Sequence, residues 1–315
     1  MGRQKRGTVG WVPSSTVEVP INDPIFASLV AEVPALANAD LISVSMLPGG
    51  LSNTNYLVKA DGDMFVVRHA CDNAGSLGID RSREEAAARL AHAEGFAPEV
   101  VAFVQPEGHA VIRYLPDAEP PTIDEFTSHE MIERVAHRMR DVHALSPIDG
   151  VFDPFAVIDR WKSILFDRGS RLPARLGRLL GLVEVANAER RHMAPRDRVL
   201  CHNDPYHLNF LDDGNLWLID WEYAGMGDPM YDLAGIGLNL DREGRDLLLR
   251  TYYGTVTPEL CRELDRLIPV FLCWNTLWCL IQVGEGAVDF DYFAMAEEYL
   301  DLFSRQPSAA SRQPE

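Results

Sequence analysis

Hydrophobic period changes once along this chain, at Pro116, and that change limits the fold more than any other feature. Before it, the apolar runs LISVSML, NYLVKA, MFVVRH, VVAFV and HAVIRYL are punctuated by Pro48-Gly49-Gly50, Asp61-Gly62-Asp63 and Pro106-Glu107-Gly108. Short runs with glycine-containing connections predict an antiparallel meander. One helix interrupts it, because SREEAAARLAHAEG over residues 82–95 is rich in alanine and ends on Gly95. Another short helix is expected after Asp23-Pro24, a capping residue and a proline ahead of IFASLVAEV.

After Pro116 the period is helical in SHEMIERVAHRMRDVHAL, from Ala156 to Arg191, from Asp241 to Tyr253 and from Pro258 to Val283. Among these helices sits a single β-patterned island, RVLCHNDPYHLNFLDDGNLWLIDWEYAG, whose Asp213-Gly214-Asn215 turn predicts a hairpin between NFL and LWLID. The expected fold class is α+β and bilobal: a small antiparallel-sheet lobe over residues 1–115 and a larger, mainly helical lobe over residues 116–315. Residues 1–20 read as a loose arm and residues 304–315 as a disordered tail.

A chain of 315 residues with 47% apolar content has enough material to bury two such lobes. Its formal charge of −18 excludes nucleic acid as a partner and is compatible with a cationic substrate. Cys71, Cys201, Cys261, Cys273 and Cys279 form no CxxC pair, as expected of free thiols in a reducing compartment. The opening residues lack the apolar core of a secretory signal, and the apolar stretch from Ile268 to Val283 includes Asn275 and Gln282 and is short for a membrane span. A cytoplasmic protein with no membrane partner is expected.

The island carries the chemistry. Asp204 and Asn209 stand five apart in HNDPYHLN, and Asp220 ends the apolar strand LWLI. Phosphoryl transfer needs a carboxylate to take the proton of the attacking hydroxyl, and hard oxygen ligands for the magnesium that bridges the phosphates. Asp204 suits the first task; Asn209 and Asp220 suit the second, with Glu222 within reach of a further metal or its water. Each residue alone is an ordinary turn former. It is their combination with a DG hairpin that points to catalysis.

HNDPYHLN followed by LIDWEYAG resembles the aminoglycoside phosphotransferase and choline kinase superfamily, and is most similar to its bacterial choline/ethanolamine kinases and to thiamine kinases. The resemblance runs from about Leu41 to Tyr299 and implies a protein-kinase-like bilobal fold with ATP and Mg²⁺ as cofactors. It further implies a phosphate loop at Gly49, Gly50, Ser52, Asn53 and Asn55, since GGLSNTNYLV resembles the family's GG-L-T/S-N pattern. Arg68 stands where protein kinases carry lysine, with Glu84 as its expected partner on the helix and Glu85 as the substitute. Arg113, Tyr114 and Leu115 are expected at the hinge, offering backbone groups to adenine.

The acceptor is expected to be a small, cationic alcohol near Tyr206, Tyr223 and Asp228. CWNTLWCLIQ is similar to the W-x-x-W-x-x-x-Q helix of choline kinases, with Trp278 and Gln282 in register and Trp274 displaced by one residue. Two tryptophans four apart share a helix face, and an aromatic cage beside a carboxylate is how a quaternary ammonium is held. Thiamine, an aminoglycoside or another alcohol is the alternative acceptor. A catalytically silent, nucleotide-binding regulator is the alternative outside enzymes.

Overall fold

The computed structural model describes residues 17–36, 39–47, 50–192, 197–286 and 288–306. Within the first lobe β1 (Val17–Glu18), β2 (Leu41–Leu47), β3 (Thr54–Ala60), β4 (Asp63–His69), β5 (Val100–Phe103) and β6 (Ala110–Arg113) form one antiparallel sheet in the order β1-β2-β3-β4-β6-β5. The arm expected over residues 1–20 is ordered at its end, because Val17 and Glu18 pair with Met46 and Ser45 and so cover the sheet edge.

Helix α1 (Pro24–Glu32) starts where Asp23 accepts from the amides of Ile25 and Phe26, both at 3.1 Å. It lays Phe26 and Leu29 on the sheet face made by Val44, Tyr56, Val58, Val67 and Val111. Each such side chain contributes about 1.5–3 kcal/mol by leaving water.

The other face of the sheet meets α2 (Ala74–Leu77) and α3 (Arg81–Ala93), which turn toward the second lobe. Leu77, Ala87 and Ala91 belong to the same core as Trp161, Leu165 and Trp274, and the Trp161 indole donates to the Ser76 carbonyl at 3.0 Å. The larger core therefore crosses the boundary that hydrophobic period draws at Pro116.

The second lobe comprises α4 (Ile123–Phe126), α5 (His129–His143), α6 (Pro154–Asp167), α7 (Leu176–Arg190), α8 (Pro229–Gly237), α9 (Arg242–Tyr253), α10 (Pro258–Gln282) and α11 (Tyr292–Arg305). Two small ladders lie among them. β7 (Val199–Cys201) pairs with β10 (Gly225–Gly227), and β8 (Phe210–Asp212) pairs with β9 (Leu216–Leu218) across the expected turn.

The tail expected to be disordered from residue 304 begins later. Helix α11 runs through Arg305, and Gln306 accepts from Arg245 at 2.6 Å, which fixes the helix end; residues 307–315 lie outside the described residues. Helix α10 is, at 25 residues, long and apolar enough to cross a membrane, but 83% of its most apolar window is buried inside the protein. All five cysteines are free and buried.

Candidate active site

The turn after β7 is held by one carboxylate. Asp232, fully buried on α8, accepts from the backbone amides of His202 at 2.9 Å and Asn203 at 2.7 Å, and its Oδ2 lies 2.9 Å from His143 Nε2. Asp232 thus anchors the hairpin to α8. Asn203 takes the left-handed conformation, at φ 66°, and donates to the Tyr223 carbonyl at 2.9 Å. His202 Nε2 lies 2.9 Å from the Ile219 carbonyl. These ties lock the segment before Asp204 to the segment around Asp220, which also sits at φ 66°. Two non-glycine residues in that strained region, one on each segment, place the strain at the site itself.

Asn209 donates through Nδ2 to the Asp204 carbonyl at 2.9 Å and to its Oδ2 at 3.3 Å, which leaves the Asn209 Oδ1 as an acceptor for a cation. Burial pushes Asp204 up to about 7 against the Asn209 hydrogen bond, with the charges of Glu222 and Asp232 adding to the rise. Asp220 is reached by water from the cleft while ringed by protein, and that surrounding, then Glu222 and Asp204, raises its pKa. Among these, the Asp220 carboxylate and the free Asn209 Oδ1 are the hard-oxygen donors of the kind a divalent ion takes.

In the phosphate loop, Gly49 lies outside the described residues. Gly50 is required where it stands, since a Cβ there would sit 2.3 Å from the Asn53 carbonyl oxygen. Ser52 is half-buried, and Asn55 on β3 faces Leu47 and Arg68 across the sheet. Asn53, expected as a phosphate donor, is otherwise engaged. Its Nδ2 donates to Glu222 at 2.8 Å and its Oδ1 accepts from the Cys71 amide at 3.0 Å. Tyr292 on α11 fastens the same loop by donating its hydroxyl to the Leu51 carbonyl at 2.7 Å.

Arg68 pairs with Glu84, while Glu85 turns outward to Arg89 at 2.9 Å. Arg68 Nε and Nη2 donate to the Gly108 carbonyl at 3.3 and 2.8 Å, so that edge of its guanidinium fork is occupied. Glu222, expected near metal, accepts through Oε1 from Arg81 at 2.6 Å as well as from Asn53. Opposite charge explains its direction, for Arg68 and Arg81 hold this carboxyl below its ordinary range despite burial. At the hinge the Arg113 and Tyr114 amides are given to the carbonyls of Glu99 at 2.9 Å and Met64 at 3.0 Å. That removes those two donors from any adenine contact and leaves Leu115 as the residue of the three whose amide is not engaged in this way.

On the acceptor side, Trp278 donates through Nε1 to the Tyr223 hydroxyl at 2.9 Å and meets the Tyr292 ring edge-on at 6.1 Å. Trp274, expected in the same cage, is 1% exposed and packs between Tyr223 at 4.6 Å and Trp161 at 5.1 Å. It is core, its ring covered by Tyr223, Trp161 and Phe152. Asp228 caps α8 by accepting from the Met230 amide at 3.0 Å, and it lines a cavity of about 200 Å³ that Asp204, Tyr223 and Trp278 do not line. Tyr206 is partly buried; burial, then the charges of Asp204 and Glu298, raises its hydroxyl pKa. Burial does the same to Tyr299, which has the carboxylates of Asp204 and Glu298 in its surroundings.

Sequence reasoning missed Arg81, Tyr292, Glu298 and Tyr299. The two tyrosines recur seven apart on α11, a helical face readable from DYFAMAEEYL. Arg81 gave no such signal.

A small sheet over a helical lobe, with the acidic loops at their junction, defines a two-lobed, kinase-like phosphotransferase. The model of the phosphotransferase enzyme family matches residues 43–263, and the chain belongs to that family. It is 28% identical over 250 residues to Protein LicA of Haemophilus influenzae, covering 74% of this chain and 70% of that one. The crystal structure of a choline/ethanolamine kinase family protein from Mesorhizobium loti is 27% identical, with a TM-score of 0.68 over 89% of this chain and 94% of that one. Choline kinase LicA from Streptococcus pneumoniae shares the fold, at 24% identity and a TM-score of 0.69 over 83% of this chain and 94% of that one. The chain is a small-molecule kinase of this phosphotransferase family.

Proposed function

We propose that this kinase transfers the γ-phosphate of ATP to the hydroxyl of a small amino alcohol, choline or ethanolamine. One observation carries the choice of acceptor: Tyr223, Trp278 and Tyr292 form a joined aromatic wall, with Tyr206 and Tyr299 near enough to feel the Asp204 charge. Aromatic faces with carboxylates nearby attract an alkylammonium group. Exposed Glu298 adds a further negative charge at this end of the cleft.

Asp204 accepts the proton of the attacking hydroxyl. The new bond forms from that oxygen to the γ-phosphorus as the bond to the bridging oxygen breaks, and the electron pair leaves with ADP. Asn209 and Asp220 would hold Mg²⁺, which neutralises charge building on the phosphates. Gly50 lets the loop approach them, Arg68 supplies a fixed positive charge, and Leu115 offers its amide to adenine. Five buried free thiols favour a reducing, cytoplasmic setting. Residues 1–115 act as the nucleotide lobe and residues 116–315 as the catalytic and acceptor lobe.

The test is ADP release with Mg-ATP against choline, ethanolamine, thiamine, homoserine and kanamycin. Turnover with choline or ethanolamine is expected. Turnover confined to thiamine or kanamycin would move the acceptor and keep the kinase; ATP binding with no turnover on any of them would discard the amino-alcohol reading.

A further inference from the structure

Arg81 has no part in the chemistry described so far, yet it is among the most enclosed charges in the protein, at 6% exposed. Its Nη1 alone donates to Glu84 Oε2 at 2.8 Å and to Glu222 Oε1 at 2.6 Å. The other oxygen of Glu84 meets Arg68, and Glu222 Oε1 also accepts from Asn53. One amino group thus joins the strand that carries Arg68, the helix that carries Glu84, the phosphate loop and the Asp220 segment.

The backbone is shaped around this chain of charges. Gly108 stands at φ +87°, and a Cβ there would lie 2.3 Å from Arg81 Nε. The same glycine's carbonyl accepts from Arg68. Two arginines and two glutamates balance formally, and removing one buried member strands its partners without water. The members have an alternative arrangement close at hand, since Arg68 Nη1 is only 3.7 Å from Glu222 Oε1. Without Arg81, those two would collapse together, shifting Arg68 and, with Glu222, the segment that carries Asp220.

We infer that Arg81 is an interlobe positioning residue, which bridges Glu84 and Glu222 to set the distance between the phosphate-holding Arg68 and the magnesium-holding segment. The inference rests on the nucleotide-kinase reading above. Glu222 Oε2 takes no part in the bridge, so the same carboxylate can face the metal side while Oε1 keeps the latch.

The test is calorimetric binding of Mg-ATP without acceptor, with thermal melts confirming that each variant folds. Arg81→Met is expected to weaken Mg-ATP by about tenfold or more, the usual range for partners behind a metal ligand. Arg89→Met, an exposed cation on the same helix, should leave it unchanged. In a Glu222→Gln background, Arg81→Met should add about twofold at most, because the charge that Arg81 answers there is already gone. A merely structural arginine would weaken both backgrounds equally, and that result, or full affinity in folded Arg81→Met, overturns the inference. Should the single variant not fold, Glu222→Gln with and without Arg81→Met decides alone: a further tenfold loss overturns it. A parent enzyme that binds no Mg-ATP would overturn the kinase reading instead, an outcome the variants do not imitate.

Discussion

Asp204 shows how one residue trades stability for reactivity. Folding raises its pKa to about 7 by burying it. A carboxyl whose folded pKa lies above its unfolded value binds its proton more tightly when folded. Its contribution is therefore complete below about pH 4, where both states are protonated, and is lost as pH rises through 7. Asp204→Asn should melt with the parent at pH 4 and later than the parent at pH 8, by about 2–4 °C for each kcal/mol relieved. Turnover should fall by about 10²–10⁴-fold at the same time. Equal melting at both pH values would mean that the carboxyl is not desolvated as described.

At this scale the spacing of Asp204 and Asn209 foretold a contact, for Asn209 donates to the Asp204 carbonyl at 2.9 Å. What spacing cannot carry is the side-chain partner. Asn53 has the composition of a phosphate donor, and Glu222 that of a metal ligand. The hydrogen bond between them joins positions 169 residues apart in the chain.

Among the elements, the loop before β3 and helix α3 teach different lessons. Gly50 reads as an ordinary hairpin glycine, but the Asn53 carbonyl occupies the space where a Cβ would go. Gly50→Ala should push the loop outward and lower kcat/KM for ATP by about 10–100-fold, as misplacement near an ångström does. The acceptor KM measured at saturating ATP should hardly move; an unchanged ATP dependence would show that the loop does not touch phosphate.

Helix α3 was expected from its alanines, and its ends agree with its caps, Asp80 accepting from the Arg83 amide at 3.1 Å. Its buried face could not be foreseen. Arg81, Glu84, Ala87 and Ala91 are the residues it turns inward, and two charges followed by two alanines look like a solvated side until opposite charges are found across the cleft. Helix α8 escaped for the opposite reason. All nine of its residues are buried, so it has no polar face to set a period.

In the whole molecule, two lobes were legible from the change of period, whereas their shared core was not. Leu77, Ala87 and Ala91 are packed with residues of the helical lobe, and Asn73 donates to Gln282 at 2.6 Å. Lobes joined through one core lose it together. Calorimetry should accordingly show a single transition whose van't Hoff and calorimetric enthalpies agree. Two resolved transitions would mean that the sheet and α1 unfold independently. Net charge speaks at this scale against a nucleic-acid partner, but it says nothing of the aromatic wall.

Helix α10 adds a matter of timing. It leaves the ribosome after α6, α7 and α8, against which it packs, and before α11, which closes over its remaining face. For the time it takes to make some twenty further residues, a stretch apolar enough for a bilayer stands half covered. A message truncated anywhere in that interval would yield a protein with its catalytic loops complete and its stickiest surface bare, so the closing helix serves as the stopper of the fold.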